Sequence, residues 1–325
     1  MKLPRRKFLH LATGAAALPV VSPIARAQTY PSRPVRIVVT FPAGSTSDTL
    51  ARPVGQWLSE RLGQPFIIDN RPGAGGTIGT EAVVRSPADG YTLLLVSGAH
   101  TVNETLYDKL NFNFIRDIAP IAGISRENYV MVINPSFPAK TVPEFVAYAH
   151  ANPGKINMAS AGIGTASHLA GELFKMMTSI NLVHIPYRGS PPAPTDLIAG
   201  QVQVFFITTA ASIGYIRAGT LRALAVTTAT RSKTLPDIPT VGEFVPNYEA
   251  SAVWGLGAPR NTPTEIINKL NKEVNAAFAD PKMNSRLANL GSTPLPGSPA
   301  DFGKLIAEEI EKWGKVIRAA NIKPE

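Results

Sequence analysis

Short, continuous apolar runs alternate with segments of helical period along most of the chain. PVRIVVTF (34–41) predicts a strand; after the turn PAGSTSD, a helix runs to about Leu62, where Gly63 supplies the stop. Pro53 inside that helix predicts a kink or a late start, because proline removes one rung of the hydrogen-bond ladder. FIIDN (66–70) and YTLLLVSG (91–98) predict two more strands, with RPGAGG and a helix from Thr77 between them. Strands without polar alternation, spaced by helices, predict a mostly parallel sheet covered on both faces.

A second series repeats the plan. YVMVINP (129–135), INMASAG (156–162), LVHIPYRG (182–189), VQVFFIT (202–208) and LRALAVTT (221–228) predict strands. TVPEFVAYAHANP, TASHLAGELFKMM and the stretches near 195–200 and 211–218 predict the helices between them. The proline-rich stretch from Leu235 to Asn247 reads as a surface crossing, and VWGLGAP (253–259) as a strand returning to the first unit. In the tail, Ile266, Leu270, Val274 and Phe278 recur every four residues; Phe302, Ile306, Ile310, Trp313 and Ile317 form a second stripe. Such stripes are core faces of amphipathic helices. A chain of 325 residues exceeds what one core usually spans. The expectation is therefore an α/β protein of two lobes, with 28–128 plus 251–295 as one and 129–250 as the other. A C-terminal helix within 296–325 packs across both.

The first 27 residues read as an address. Lys2, Arg5, Arg6 and Lys7 precede a mostly apolar stretch from Phe8 to Ile24, and Ala25-Arg26-Ala27 is a small-x-small cleavage site. Arg5-Arg6 followed by Lys7-Phe8-Leu9 looks like a twin-arginine export signal, although general-secretion leaders also carry paired arginines. Removing the leader lowers the net charge from +9 to +4, with 27 basic residues against 23 acidic. That balance lacks the basic stripe of a nucleic-acid reader and suits a protein that meets small anions. There is no cysteine, hence no disulfide, thiolate nucleophile or lipid-modified cysteine. The expected product is soluble in the periplasm.

The chemistry narrows by elimination. No G-x-S-x-G elbow is present, and Ser160 and His168, eight residues apart, do not by spacing alone make a catalytic pair. His100, His150, His168 and His184 form no metal-ligand motif. GAGGTIG and GIGTAS each miss the third glycine of a dinucleotide loop, and neither carries a phosphate-loop lysine. No catalytic residue, metal or cofactor is expected.

Anion capture by backbone remains. In FPAGSTSD, GAGGTIG and SAGIGTASH a glycine turn runs into a helix, whose first N–H groups lack helical partners. Each helix end favours an anion by about 0.3–1 kcal/mol when exposed and about 2 kcal/mol when partly buried. Hydroxyls of Ser45, Ser47, Thr77, Ser160 and Thr165 add about 1 kcal/mol each. Together these approach the roughly 8 kcal/mol of micromolar binding. Each turn is equally an ordinary helix cap; three on matching strand ends favour a site.

These stretches resemble a known family. YPSRPVRIVVTFPAG, IIDNRPGAGGTIGTE, SPADGYTLLL, HIPYRGSPPAPTDLIAGQV, LRALAVTTATRSKTLPDIPTVGE and NKLNKEVNAAFADP occur in the order seen in Bug-type (TctC-like) receptors. These are the extracytoplasmic solute-binding components of tripartite tricarboxylate transporters. The resemblance, from about Tyr30 to Glu325, implies a type II periplasmic binding protein fold with two inter-lobe crossings. It implies closure on a carboxylated metabolite and delivery to membrane transporter subunits, and that delivery leads to the expectation of a monomer. The implied ligand loops are Phe41, Gly44, Ser45, Thr46, Ser47 and Asp48; Gly75, Gly76, Thr77 and Ile78; Ser160, Ala161, Gly162, Gly164, Thr165 and His168; and Tyr187 with Arg188. Phe41 would cover the ligand, Tyr187 would close from the other lobe, and Arg188 would pair with a distal carboxylate or with a structural partner. Where the family commonly ends a strand in Met-Phe-Asp, this chain has Phe205-Phe206-Ile207 and then Thr208. Loss of that aspartate leads to the expectation of an apolar-bodied aromatic or aliphatic acid and against amino acids. A periplasmic sensor would use the same cleft, and an exported hydrolase is the remaining alternative.

Overall fold

The structure, a computed structural model, describes residues 30–107, 109–187 and 189–324. The expected leader and Arg188 lie outside the described residues. Among the described residues ten strands are formed: β1 (Val35–Val39), β2 (Phe66–Asn70), β3 (Thr92–Val96), β4 (Ile118–Ile133), β5 (Asn157–Ser160), β6 (Val183–Pro186), β7 (Val204–Thr208), β8 (Arg222–Val226), β9 (Ser251–Pro259) and β10 (Ser292–Pro294). Between the strands of the first half run α1 (Thr46–Leu62), α2 (Thr77–Val84), α3 (Gly98–Leu106) and the single turn α4 (Phe114–Asp117). The middle of the chain adds α5 (Val142–Ala151), α6 (Ala166–Thr178), α7 (Ala193–Ile198) and α8 (Thr209–Arg217). The tail forms α9 (Thr264–Ala277), α10 (Pro281–Asn289) and α11 (Pro299–Ala319).

The strands make two sheets that share β4. One runs β2-β1-β3-β9-β4 with β10 on the far side of β4; the other runs β6-β5-β7-β4, with β8 also paired to β4. β1 is parallel to β2 and β3, and β5 to β6 and β7. The strands joining the sheets are antiparallel: β9 to β3 and β4, and β7 and β8 to β4. β4 pairs with β9 from Ile118 to Asn128 and with β7 from Tyr129 to Ile133, so it passes between sheets at a single peptide.

Two elements depart from the expected pattern. The expected strand begins only at Tyr129, whereas β4 starts at Ile118: IAPIAGISREN, with Pro120, Gly123, Arg126 and Glu127, is strand because β9 pairs along its length. α1 starts at Thr46 and runs through Pro53 rather than starting after it. The described structure thus has the expected α/β class, with the antiparallel strands concentrated where the sheets join.

The tail stripe behaves as expected. Phe302 and Ile306 of α11 pack with Val38, Leu94 and Val96 of the first sheet, whereas Trp313, Val316 and Ile317 join the second-sheet core with Phe145, Phe174 and Phe206. Each large apolar side chain buried in this way contributes about 1.5–3 kcal/mol. α11 therefore ties both sheets together. A Cβ on Gly255 of β9 would lie 2.1 Å from the Phe302 ring, so glycine is required where the helix crosses the joining strands.

Candidate functional site

Three helices begin at one cavity of about 640 Å³. The N-caps Ser45 of α1, Ser97 of α3 and Thr165 of α6 line it, together with Thr46 and Ser47, Gly98 and Ala99, and Ala166 and Ser167 from the first turns. Backbone N–H groups at these positions precede the first intrahelical bond and so have no helical partner. Between the helix ends the wall is largely apolar, from Val102, Leu106, Ile163, Val253, Trp254 and Trp313. No lysine, arginine or histidine lines the cavity among the described residues.

Each loop is fastened from behind. Asp48, 2% exposed, accepts hydrogen bonds from Gly44 N (2.9 Å), Arg52 Nε (2.9 Å) and Asn70 Nδ2 (3.0 Å). Burial opposes its ionisation, but the bonds from Arg52, Gly44 and Asn70 hold its carboxyl below the usual range. Asn70 also donates to Phe41 O at 3.0 Å, fixing the loop's entry. In the third loop Ser167 Oγ accepts from Ala161 N (2.8 Å), and His168 Nδ1 accepts from Gly164 N (3.1 Å). Ser97 N donates to His100 Nδ1 at 2.9 Å, and burial lowers His100 to about 4, so its imidazole is neutral near pH 7.

Of the residues expected at the site, Phe41, Gly44, Ser45, Thr46, Ser47, Gly75, Ala161, Gly164, Thr165 and Thr208 line this cavity. The others lie elsewhere. Asp48 is the brace just described. Gly76 packs on Thr40, Thr77 Oγ1 donates to Ala74 O at 2.9 Å, and Ile78 is 55% exposed. Ser160 is fully buried, with its Oγ 2.6 Å from His184 Nε2. His168 is buried and stacks on His184, ring centroids 3.7 Å apart, with its Nε2 3.6 Å from Glu172. Gly162 accepts from Ser160 Oγ and Thr165 Oγ1 through its carbonyl. Tyr187 turns away and donates from its hydroxyl to Asp196 at 2.6 Å; burial and that carboxylate push it up to about 12.

Ile207 is not a wall of the cleft. It is 1% exposed and packs with Val130, Ala159 and Phe205, because alternate residues of β7 point to opposite faces and Ile207 falls on the core side. Its place as a substitute for a ligand-facing aspartate is therefore lost, and with it the ground for excluding amino acids.

The expectation also omitted much of the wall. α3 and its cap contribute Ser97, Gly98, Ala99, Thr101, Val102, Asn103 and Leu106, and the chain then adds Tyr107; the joining strands contribute Glu127, Tyr129 and Ser251 to Trp254; and α11 contributes Glu309 and Trp313. A serine followed by glycine at the end of YTLLLVSG was the one local signal for the α3 cap. Glu127 is 4% exposed, and burial pushes its carboxyl up to about 8.

Comparison with known proteins places the chain in a family. Residues 50–322 match the family described as tripartite tricarboxylate transporter family receptor. This chain belongs to that family. The receptor is 36% identical to protein BugT of Bordetella pertussis over 318 residues, 97% of this chain and 96% of BugT. Among solved structures it resembles R. palustris Rpa4515 with adipate, at 37% identity and TM-score 0.78, covering 91% of this chain and 100% of that one. It also resembles MatC from Rhodopseudomonas palustris with bound malate, at 31% identity and TM-score 0.74, covering 89% and 100%. These relatives are solute-binding receptors, not enzymes, and receptors of the family are periplasmic. The periplasmic binding protein fold follows for this receptor. No helix among the described residues is long and apolar enough to cross a membrane.

Proposed function

We propose that the receptor captures an apolar-bodied aromatic or aliphatic mono- or dicarboxylate between its lobes and delivers it to tripartite tricarboxylate-type membrane subunits. The convergence of the α1, α3 and α6 N-termini on one cavity carries this reading. Those helix ends offer uncharged donors and positive potential to a carboxylate, and the apolar wall accepts a hydrocarbon body. Adipate and malate in related proteins supply the starting ligands to try.

The lobe boundaries proposed with this reading are 28–128 plus 251–295, 129–250, and a C-terminal helix within 296–325. The change of partner along β4 between Asn128 and Tyr129 supports them. Ligand loops at the residues that line the cavity, a monomeric state and export by a leader cleaved near Ala27 complete the proposal.

Isothermal titration of the purified mature chain tests the central part, using aromatic and aliphatic mono- and dicarboxylates of graded length. Micromolar binding of carboxylates, and none of the matching neutral amides, is the expected outcome. Equal binding of acid and amide would refute it.

A further inference from the structure

Glu127 lies in the wall of the cavity at the point where β4 changes sheets. It is 4% exposed, and no hydrogen bond or ion pair from another described residue reaches its carboxyl. Directly across on β10 stands Ser292, and two residues back on the same face stands Ser125; both hydroxyls are buried without partners. Tyr129, two residues on, also lines the cavity. A buried polar group without a partner costs about 1–3 kcal/mol, so Glu127, which unlike the two serines lines the cavity, is suited to a partner that arrives with the ligand.

The charge state of Glu127 decides what it recognises. An ionised carboxylate here would repel the anion that three helix ends attract, and no cationic side chain lines the cavity among the described residues to offset it. The titratable groups on the elements around it do not supply that offset. His100 on α3 is neutral, Tyr129 on the same strand is itself raised by burial and by Glu127, and Glu309 on α11 is occupied by Lys312 and the Trp313 indole. Arg126 points to the opposite face of β4 and pairs with Glu249.

Resting on the carboxylate-capture reading, we propose that Glu127 is a specificity-determining residue that keeps its proton and donates a hydrogen bond to the second carboxylate of a dicarboxylate. Burial raises its carboxyl to about 8, which leaves it mostly neutral at pH 7. Donating from its protonated oxygen, Glu127 matches an acceptor oxygen of the ligand, whereas an ammonium group brings only donors. A hydrogen bond between a neutral acid and a carboxylate is charge-assisted, and shorter and stronger than a neutral one. A monocarboxylate with a bare hydrocarbon end would leave Glu127 unpaired.

Calorimetric titrations at pH 7.0 and 9.5 test this with α,ω-dicarboxylates of four to eight carbons, monocarboxylates of equal length and ω-amino acids of equal length. The dicarboxylate Kd is expected to rise at least about tenfold between the two pH values, because Glu127 loses its proton over that range. The matched monocarboxylate, which meets the same helix ends, should change less than about threefold. Glu127→Gln stays neutral and keeps a donor, so it should bind the dicarboxylate within about fivefold of the parent at pH 7.0 and lose the pH dependence. Dicarboxylate affinity that is flat or tighter at pH 9.5 overturns the proposal, as does preference for the ω-amino acid that Glu127→Gln abolishes. The pH series on the parent protein decides the matter even if the variant fails to fold. If acids bind without this signature, only the role of Glu127 falls; if no acid binds at either pH, the carboxylate reading falls with it.

Discussion

Trp254 on β9 donates its indole Nε1–H to Ser47 Oγ in the first turn of α1, at 3.3 Å. One hydrogen bond thus joins a strand that returns between the lobes to an anion-facing helix end. Both residues line the cavity, so a ligand seated on α1 alters the surroundings of the indole.

Tryptophan emission should therefore change on titration with a bound dicarboxylate, and Trp254→Phe should remove the part of that change that Trp313, in the same wall, does not supply. Trp57, whose indole donates to Glu273 O away from the cavity, serves as the internal control. Ser47→Ala removes a neutral hydrogen bond worth about 1 kcal/mol, so affinity should fall by about fivefold. Unaltered emission at saturation would separate Trp254 from the binding event.

Ile207→Asp distinguishes core from cleft. With Ile207 1% exposed among Val130, Ala159 and Phe205, an aspartate there buries an unpaired charge. The variant should lose at least about 3 kcal/mol of stability in urea unfolding and gain no affinity for amino acids. A stable variant with new amino-acid binding would instead put the side chain in the cleft.

Gly164 holds the third loop at φ +72, and a Cβ there would sit 2.9 Å from Leu106 Cδ2 on α3. Gly164→Ala should cost about 1–2 kcal/mol from the left-handed backbone alone. It should also weaken ligand binding by pushing α3 from the loop. Adding Leu106→Ala should recover part of the affinity but not the backbone term, a separation that paired calorimetry and unfolding measurements can read.

Acid should destabilise the fold through its neutral histidines. Burial lowers both His100 and His184 to about 4, and for His184 the neighbouring His168 adds to this. The unfolded chain binds these protons near pH 6.5 and the folded chain only near 4. The stabilisation is complete above about 6.5 and is lost as pH falls toward 4. The urea midpoint should therefore drop between pH 7 and pH 4.5, and His184→Asn should flatten part of that drop.

Local pattern made much of this receptor legible. Continuous apolar runs such as VRIVV and TLLLV mark strands buried on both faces, and the Phe302–Ile317 stripe marks a helix with a core face. Both signals depend only on residues close in sequence. Glycine turns running into capped helices were legible for the same reason, and nine of the residues expected in them line the cavity.

What the local pattern could not contain was decided by partners far along the chain. IAPIAGISREN becomes strand because β9, more than a hundred residues later, supplies its hydrogen bonds. Ile207 and Thr208 are neighbours in sequence, yet one enters the core and the other the cavity: both faces of β7 are packed along Val204–Ile207, and the cavity opens only at the strand's end. Glu127 gives no local sign of a site; it becomes one only where the sheets meet and burial strips its carboxyl of water. Periodicity fixes elements because it is a property of neighbours, whereas burial and charge state belong to the assembled surroundings.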